Sequence, residues 1–396
     1  DELQVGDAVY ALKRLNLEGK TPSAIDLLPD DCRVADRGLL AEVESGLKMR
    51  YRTLPAAYRA LGLPKPDDRV SSMPIGFLRQ IVGALSLDWD AFKQRITLVT
   101  SPAGHPTWPL PTITPDLLYL LGLIASDGSL ERVGRTQCRV NFTNSDAGLL
   151  TVYADTYRQV FPRAALGRRQ KSGGGAIDGR QITTTQPSTD LYSNNFLLGL
   201  VADGLGVRKA GEISWDLARL VSLPEAHIAA FLAGVFDGDG SVRLRQYDDK
   251  WPVGEAYLSH SDPEAARNLH LLLKRLGIVG QLRPDRTVYR VELHGGNLRR
   301  FAEIVPSRHP AKRATLEQIA ALPKNSPDKA QSEVLPHAAG KALAQLPESQ
   351  ILLSPSTRFY YETGRSRPVA DQARLVMDEA PEAVTILTAL VEGDAF

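Results

Sequence analysis

Only two cysteines, Cys32 and Cys138, occur in 396 residues, too few for a disulfide framework or a thiolate zinc cluster. That content suits a reducing cytosol. No apolar run approaches the roughly 20 residues needed to span a bilayer. The opening DELQVGDAVY has neither a basic n-region nor an apolar h-region. A soluble, cytoplasmic chain that is not exported is therefore expected. The seven histidines fall at no metal-ligand spacing and read as surface or packing residues. Net charge is also missing: 47 Lys and Arg against 46 Asp and Glu leave +1, and the bulk balance names no partner.

The local balance differs. Arg267 to Leu316 holds eleven basic and three acidic residues, and RAALGRRQK (Arg163 to Lys171) holds four basic residues and no acid. A polyanion needs patches of this kind, although a solvated basic face accounts for them equally well. With 43% hydrophobic and 23% charged residues, the chain can bury a sizeable core, and its length suits two or three domains.

Along the chain, LQVGDAVYAL alternates as a strand. YRTLPAAYRALGL, the bend PKPDDRVSS and MPIGFLRQIVGAL read as a helix-turn-helix or an ordinary helical hairpin. Thr100 to Pro115 holds five prolines and is expected to be an extended linker. Beyond it one pattern occurs twice. A helix ending in an acid leads to alternating strands (CRVNFTNSD, then GEAYLSHSD), a second helix and further strands. Ser145-Asp146 falls on Ser261-Asp262. This is an internal duplication. The expected organisation is 1–99, a strand segment with a helical nucleic-acid-binding region; 100–115, linker; 116–220 and 221–316, the two repeats; and 317–396, a helical region whose loop GRSR is basic.

The acid-ended helices carry the chemistry. Glycine inside a helix costs up to about 1 kcal/mol relative to alanine, so Gly122 and Gly234 need a reason. Small residues at 230, 234 and 238 would let two helices approach closer than the usual 8–10 Å or so. Packing the two repeats at a pseudo-twofold axis brings Asp127 and Asp239 to the same end. A carboxylate at a helix C-terminus faces the negative end of the dipole, and two together repel. A divalent cation resolves both problems. Mg²⁺ takes one or two carboxylates, carbonyls and waters, leaving the rest of its shell to substrate phosphates. The bland alternative is that each Asp-Gly only stops a helix. An EF-hand is excluded, because DGDG lacks the later loop ligands and the glutamate at the twelfth position.

LLGLIASDG (Leu120 to Gly128) and LAGVFDGDG (Leu232 to Gly240) resemble the two motifs of the LAGLIDADG homing endonucleases. The resemblance covers roughly residues 115–316. It implies an α+β fold of two αββαββ halves whose sheets form a saddle in the DNA major groove, flanked by small helical domains. It implies Asp127 and Asp239 as metal-binding acids, joined by the carbonyls of Ser126 and Gly238, with two or three Mg²⁺ ions shared with DNA phosphates. The sixth motif position, Asp237 in one repeat and Ala125 in the other, is not a metal ligand in that family. Outward residues of the strands become candidates for DNA contact: Arg139, Asn141, Arg168, Arg169, Arg243, Arg245 and Arg290. A basic residue beside each metal is also implied, for which Lys171 (or Arg168) and Arg283 stand in the corresponding strands.

The opening LQVGDAVYALKRL is similar to the segment of inteins that precedes an inserted endonuclease, and LVEGDAF to the approach to their C-terminal splicing blocks. With Asp1 first and no terminal His-Asn pair, splicing is not expected of the chain as given. The reading is a monomeric, metal-dependent endonuclease of prokaryotic or archaeal origin. It cuts both strands of a long asymmetric DNA site and leaves 3′ overhangs. An RNA-binding intron maturase and an inactive DNA-binding regulator are the alternatives on the same scaffold.

Overall fold

The computed structural model describes residues 14–64, 72–133, 137–171, 175–177, 180–182, 187–207, 217–246, 252–322, 344 and 354–363. The intein-like ends, the bend at 65–71, the GRSR loop and most of the region beyond 322 lie outside the described residues.

The N-terminal unit contains β1 (Arg33–Val34), α1 (Arg37–Tyr51), α2 (Leu54–Ala60), β2 (Met73–Pro74), α3 (Ile75–Ala84), α4 (Trp89–Lys93), β3 (Leu98–Thr100) and β4 (Thr107–Pro109). The strands form one antiparallel sheet in the order β2-β1-β3-β4. The helices expected between 50 and 90 are therefore part of an α+β unit and bury Leu39, Val43, Leu47, Leu78 and Ile81. The proline-rich stretch is not wholly extended linker. Its residues Thr107 to Pro109 pair with Leu98 to Thr100. Pro109 lies on the edge strand, where a missing N–H leaves no ladder bond unmade.

The first repeat runs α5 (Pro115–Asp127), β5 (Gly128–Val133), β6 (Gln137–Asn144), α6 (Ala147–Val160), β7 (Gly167–Lys171), β8 (Gly175–Ile177), β9 (Arg180–Ile182), β10 (Ser188–Ser193), α7 (Phe196–Gly204) and α8 (Leu217–Val221). The second runs α9 (Glu225–Asp239), β11 (Ser241–Arg245), β12 (Val253–His260), α10 (Pro263–Arg275), β13 (Gln281–Asp285), β14 (Val288–His294), α11 (Gly295–Ile304) and α12 (Pro310–Ala320). A last helix, α13 (Pro355–Glu362), buries Tyr361. Strands β8 and β9 pair as a separate two-stranded hairpin.

The duplication is explicit in the sheets. One has the order β5-β6-β10-β7 and the other β11-β12-β14-β13, the same antiparallel αββαββ topology twice. The repeated Ser-Asp has a local cause: Asp146 Oδ1 accepts from Leu149 N at 2.7 Å and Asp262 from Glu264 N at 3.0 Å. Each aspartate is thus the N-cap of the helix that covers its sheet. Thr114 caps α5 in the same way, accepting from Leu117 N at 3.3 Å.

Alternation gives each sheet one core face and one open face. In the first, Cys138, Val140, Phe142 and Leu191 are buried, and Phe142 stacks on Tyr153 of α6 at 4.4 Å between centroids. In the second, Ala256, Leu258, Val291 and Leu293 are buried beneath α10 and α11. The last carboxylates of α5 and α9 open directly into β5 and β11. The helix ends are therefore fixed to the sheets they precede.

Candidate active site and nucleic-acid interface

Gly122 and Gly234 set how α5 and α9 meet. A β-carbon at Gly122 would stand 2.2 Å from the Phe231 carbonyl oxygen and 2.9 Å from Gly234 Cα; one at Gly234 would stand 2.2 Å from the Tyr119 oxygen. Those neighbours are backbone and cannot swing aside, so only glycine permits this crossing. One turn further on, a β-carbon at Gly238 would lie 2.0 Å from Ser126 Oγ and 3.1 Å from Asp127 Oδ2. The Asp127 carboxylate therefore lies against the residue that precedes Asp239. Both acids are half-buried.

The two ends are held differently. Asn144 Nδ2 donates to Asp127 Oδ2 at 2.8 Å, while Ser259 Oγ donates to the Asp239 carbonyl at 3.0 Å. Ser126 Oγ turns back on its own helix, to the carbonyls of Gly122 at 3.2 Å and Leu123 at 3.0 Å. At the end of α9 a cation meets the last carbonyls. Lys312 Nζ donates to the carbonyls of Phe236 and Asp237, both at 2.8 Å, and lies 3.4 Å from that of Gly238. It also sits 5.3 Å from the centre of the Phe236 ring. Burial lowers the Lys312 pKa, against the pull of Asp237, Asp127, Asp239 and Asp146. An ammonium here meets the negative pole of the helix and the field of the paired acids. The sequence pattern does not single out Lys312. The signal it offers is the local basic excess, in which Lys312 is one of eleven cations.

Asp237 is buried and saturated with donors. It accepts from Tyr119 Oη at 2.7 Å, Ser307 Oγ at 2.5 Å, Arg308 N at 2.7 Å and His309 N at 3.1 Å. Burial and this carboxylate together raise the Tyr119 pKa, which keeps the phenol a donor. Ala125 occupies the matching place in α5.

A hard-oxygen cation fits the paired acids. Two carboxylates that would otherwise repel are brought together at helix C-termini, and the carbonyls of Ser126 and Gly238 lie beside them. Among the described residues no cluster of three His, Cys, Asp or Glu is assembled, so a nitrogen or sulfur cage of the zinc type is not formed there. The remaining ligands of an ion held here would be water or phosphate.

The open faces hold most of the expected contact residues. Arg139, Asn141, Arg169 and Lys171 share one face of the first sheet through the registers Asn141↔Tyr192, Thr143↔Asp190 and Asp190↔Arg169. Arg243, Arg245, Arg283 and Arg290 share the open face of the second. Arg168 departs from this set, because it registers with buried Leu191 and projects to the helix-covered side of edge strand β7. Each of these open-face cations has a carboxylate partner. Arg139 pairs with Glu131 at 3.7 Å and Arg283 with Glu292 at 3.7 Å. Arg290 pairs with Asp285 at 2.7 Å and stacks on Tyr257 at 4.4 Å. Arg243 and Arg245 share Glu255, and Arg169 and Lys171 share buried Asp190, both at 2.8 Å. Lys171 and Arg283 are thus strand cations engaged on the sheet faces, whereas Lys312 packs on the acid-bearing helix itself.

Residues 226–306, from α9 through α11, match the family model described as a LAGLIDADG-like domain. This chain contains a LAGLIDADG-like domain. The match takes in the second motif and Asp239. Asp127 enters through the duplication, and Lys312 lies just beyond the matched residues. Among curated proteins, an A-type ATP synthase subunit of Methanopyrus kandleri is 26% identical over 318 residues, 78% of this chain and 28% of that protein. The replicative DNA helicase DnaB of Rhodothermus marinus is 27% identical over 226 residues, 55% of this chain and 23% of that protein. The chain thus spans about a quarter of the length of each. Solved structures with LAGLIDADG folds are also similar. I-DmoI in complex with DNA and Mn has 16% identity, a TM-score of 0.33, and coverage of 49% of this chain and 97% of that one. The homing endonuclease I-WcaI bound to its DNA recognition sequence has 13% identity, a TM-score of 0.38, and coverage of 52% and 87%. The repeated sheet order of this chain shows two αββαββ halves, and the matched LAGLIDADG-like domain is the second of them.

Proposed function

We propose that this protein is a site-specific DNA endonuclease that uses divalent metal ions held between Asp127 and Asp239. The observation that carries the reading is the Gly122–Gly234 crossing, which sets two acid-ended helices side by side between two sheets with arginine-lined open faces. The sheets would lie along the duplex. Arg139, Arg169, Arg243, Arg245 and Arg290 would contact phosphates and guanine edges, and Asn141 an adenine edge. Surface ion pairs are worth at most about 1 kcal/mol, so phosphates can displace Glu131, Glu255 or Asp285 from their arginines at small cost.

The residues that would hold the metal are Asp127, Asp239 and the carbonyls of Ser126 and Gly238. Bound there, Mg²⁺ would neutralise charge on the scissile phosphates and lower the pKa of an attacking water. Lys312 is the cation best placed to steady the acid end of α9 and to oppose developing negative charge, the role for which the family resemblance points to Arg283. With both motifs in one chain, a monomer suffices and each half addresses one strand of an asymmetric site. Cleavage that leaves 3′ overhangs follows from the family resemblance.

An intein origin is part of the same proposal. One segment of this kind matches an ATP synthase subunit and a DNA helicase over less than a third of each. Two proteins with unrelated tasks sharing such a segment fits an element that moves between host genes. Incubation with Mg²⁺ and a supercoiled plasmid carrying the uninterrupted host gene should yield linear product with 3′ ends. A folded protein that binds the plasmid and leaves it uncut with Mg²⁺ or Mn²⁺ would sink the nuclease reading in favour of a binding protein.

A further inference from the structure

We propose that Asp237 is a positioning residue that acts through Lys312. It fastens the segment Ser307 to His309 and so fixes where α12 begins and where its lysine reaches. The inference rests on the endonuclease reading above.

Asp237 has the wrong surroundings for a metal ligand. Its exposure is 1%, and both oxygens are occupied by four donors: Oδ1 by Ser307 Oγ, Oδ2 by Tyr119 Oη and the amides of Arg308 and His309. Those two amides and Ser307 belong to the turn immediately before α12, whose first residue is Pro310 and whose N-cap is His309. Pro310 has no amide proton, and the His309 side chain makes no capping bond. The anion that the start of α12 favours is supplied from another helix. Two residues into α12, Lys312 returns to the carbonyls of residues 236 to 238. The circuit is closed: the side chain of Asp237 holds the base of α12, and α12 delivers an ammonium to the backbone of Asp237 and its neighbours.

The same turn ties the two halves together. Arg308 stacks on the Tyr119 ring at 4.3 Å, pairs with Asp116 and donates to Thr156 Oγ1 at 3.3 Å. His309 lies 3.6 Å from Asp146. Tyr119, Asp116, Thr156 and Asp146 all belong to the first half. The first motif carries Ala125 in place of Asp237 and cannot make the corresponding anchor. The device is one-sided, and its loss should be felt unequally by the two strands.

The test uses the full chain with Mg²⁺ and the supercoiled plasmid described above. Rate constants for nicking (supercoiled to open circle) and for second-strand cutting (open circle to linear) are measured at saturating protein, together with the plasmid-site affinity. Asp237→Asn should leave nicking by the other half within about twofold and slow the open-circle-to-linear step by about tenfold or more, the scale of a small misplacement of a catalytic group. Open circle should accumulate and affinity should stay within about twofold. Lys312→Met should slow the same step, and the double variant should be no slower than Lys312→Met alone, since one residue acts through the other. Wild-type rates for both steps in Asp237→Asn, equal slowing of both strands, or additive effects in the double variant would each overturn the proposal. Should Asp237→Asn fail to fold, Ser307→Ala removes one of the four donors and should produce the same strand bias at smaller size; an unbiased Ser307→Ala counts against it. A wild-type protein that cuts nothing speaks against the endonuclease reading, not against this one.

Discussion

The ends of α5 and α9 are related by the internal duplication, yet they are built differently. Both finish in a half-buried aspartate followed by glycine and open into a strand. At the end of α5 the acid accepts from the Asn144 amide, and the sixth motif position is an apolar Ala125. At the end of α9 stand the buried carboxylate of Asp237, a turn that supplies three of its four donors, and a lysine on the carbonyls of residues 236 to 238. What the two ends share, the paired acids and the glycine crossing, is the part that the proposed chemistry requires twice. What they do not share is support. The duplication repeats the acids and the glycine crossing, and the anchor through Asp237 stands on one side because Ala125 takes its place on the other.

The largest effect tests the shared part. Asp127→Asn or Asp239→Asn should each reduce cleavage by more than about 100-fold, because losing ~3 kcal/mol of transition-state stabilisation is already that much. Plasmid-site affinity without metal should hold steady. Equal, near-total loss in the two variants supports one composite site; survival of cutting in either breaks the symmetry at its core. Next comes the crossing. Gly122→Ala or Gly234→Ala drives a methyl into backbone and should cost about 1–3 kcal/mol or more, read as a lower midpoint in denaturant. Gly83→Ala in α3 is the control: apart from its own helix backbone and chain neighbours nothing lies within 4 Å of the added carbon, so the helix should gain up to about 1 kcal/mol.

The sequence made the shared part legible and hid the support, for a physical reason in each case. Gly122, Gly234, Asp127 and Asp239 break local rules, glycine in mid-helix and acid at a helix C-terminus, and such breaks are visible in one dimension. The capping aspartates 146 and 262 are visible as a repeated pair. Lys312 and Ser307 break nothing. Their importance comes from hydrogen bonds to residues about 70 positions away, which no local pattern records. Arg168 shows the complementary limit. Its composition suits a nucleic-acid face, but its side depends on register, and a shift of one residue moves a strand side chain to the opposite face. The proline-rich stretch reads as linker from composition alone, and its edge strand escapes that reading because proline does not forbid pairing at an edge.

A smaller test compares the open faces. In the second half Glu255 holds both Arg243 and Arg245. Replacing both arginines with alanine should weaken binding and flatten the dependence of log affinity on log salt by roughly 2, close to 0.9 for each phosphate left without its arginine. Arg139→Ala in the first half should change the slope by about half as much, since one cation is removed rather than two. Titration of binding to the plasmid site between low and moderate salt separates the two. Equal slopes for all variants would mean that these faces do not meet phosphate.

The smallest effect concerns Asp190, where the first half has a device that the second lacks. Burial alone would raise its pKa, but hydrogen bonds from Lys171, Thr143 and Arg169 outweigh that and hold it below the ordinary aspartate value. Thr143 Oγ1 approaches Asp190 Oδ1 at 2.5 Å. A carboxyl depressed in the folded state binds fewer protons there than in the unfolded chain, so its contribution to stability is present above the unfolded pKa of about 3.9 and disappears as pH falls through the folded value. Asp190→Asn lacks this group and should be less stable than wild type at pH 7, with the gap closing toward pH 3. Denaturant midpoints of the two proteins at both pH values give the measurement, and a gap that stays constant would show that the Asp190 charge does not bind these cations in solution. The freed Arg169 and Lys171 should also raise affinity for nonspecific DNA, whereas Glu292→Gln should change it little, because Arg283 holds that carboxylate only at 3.7 Å.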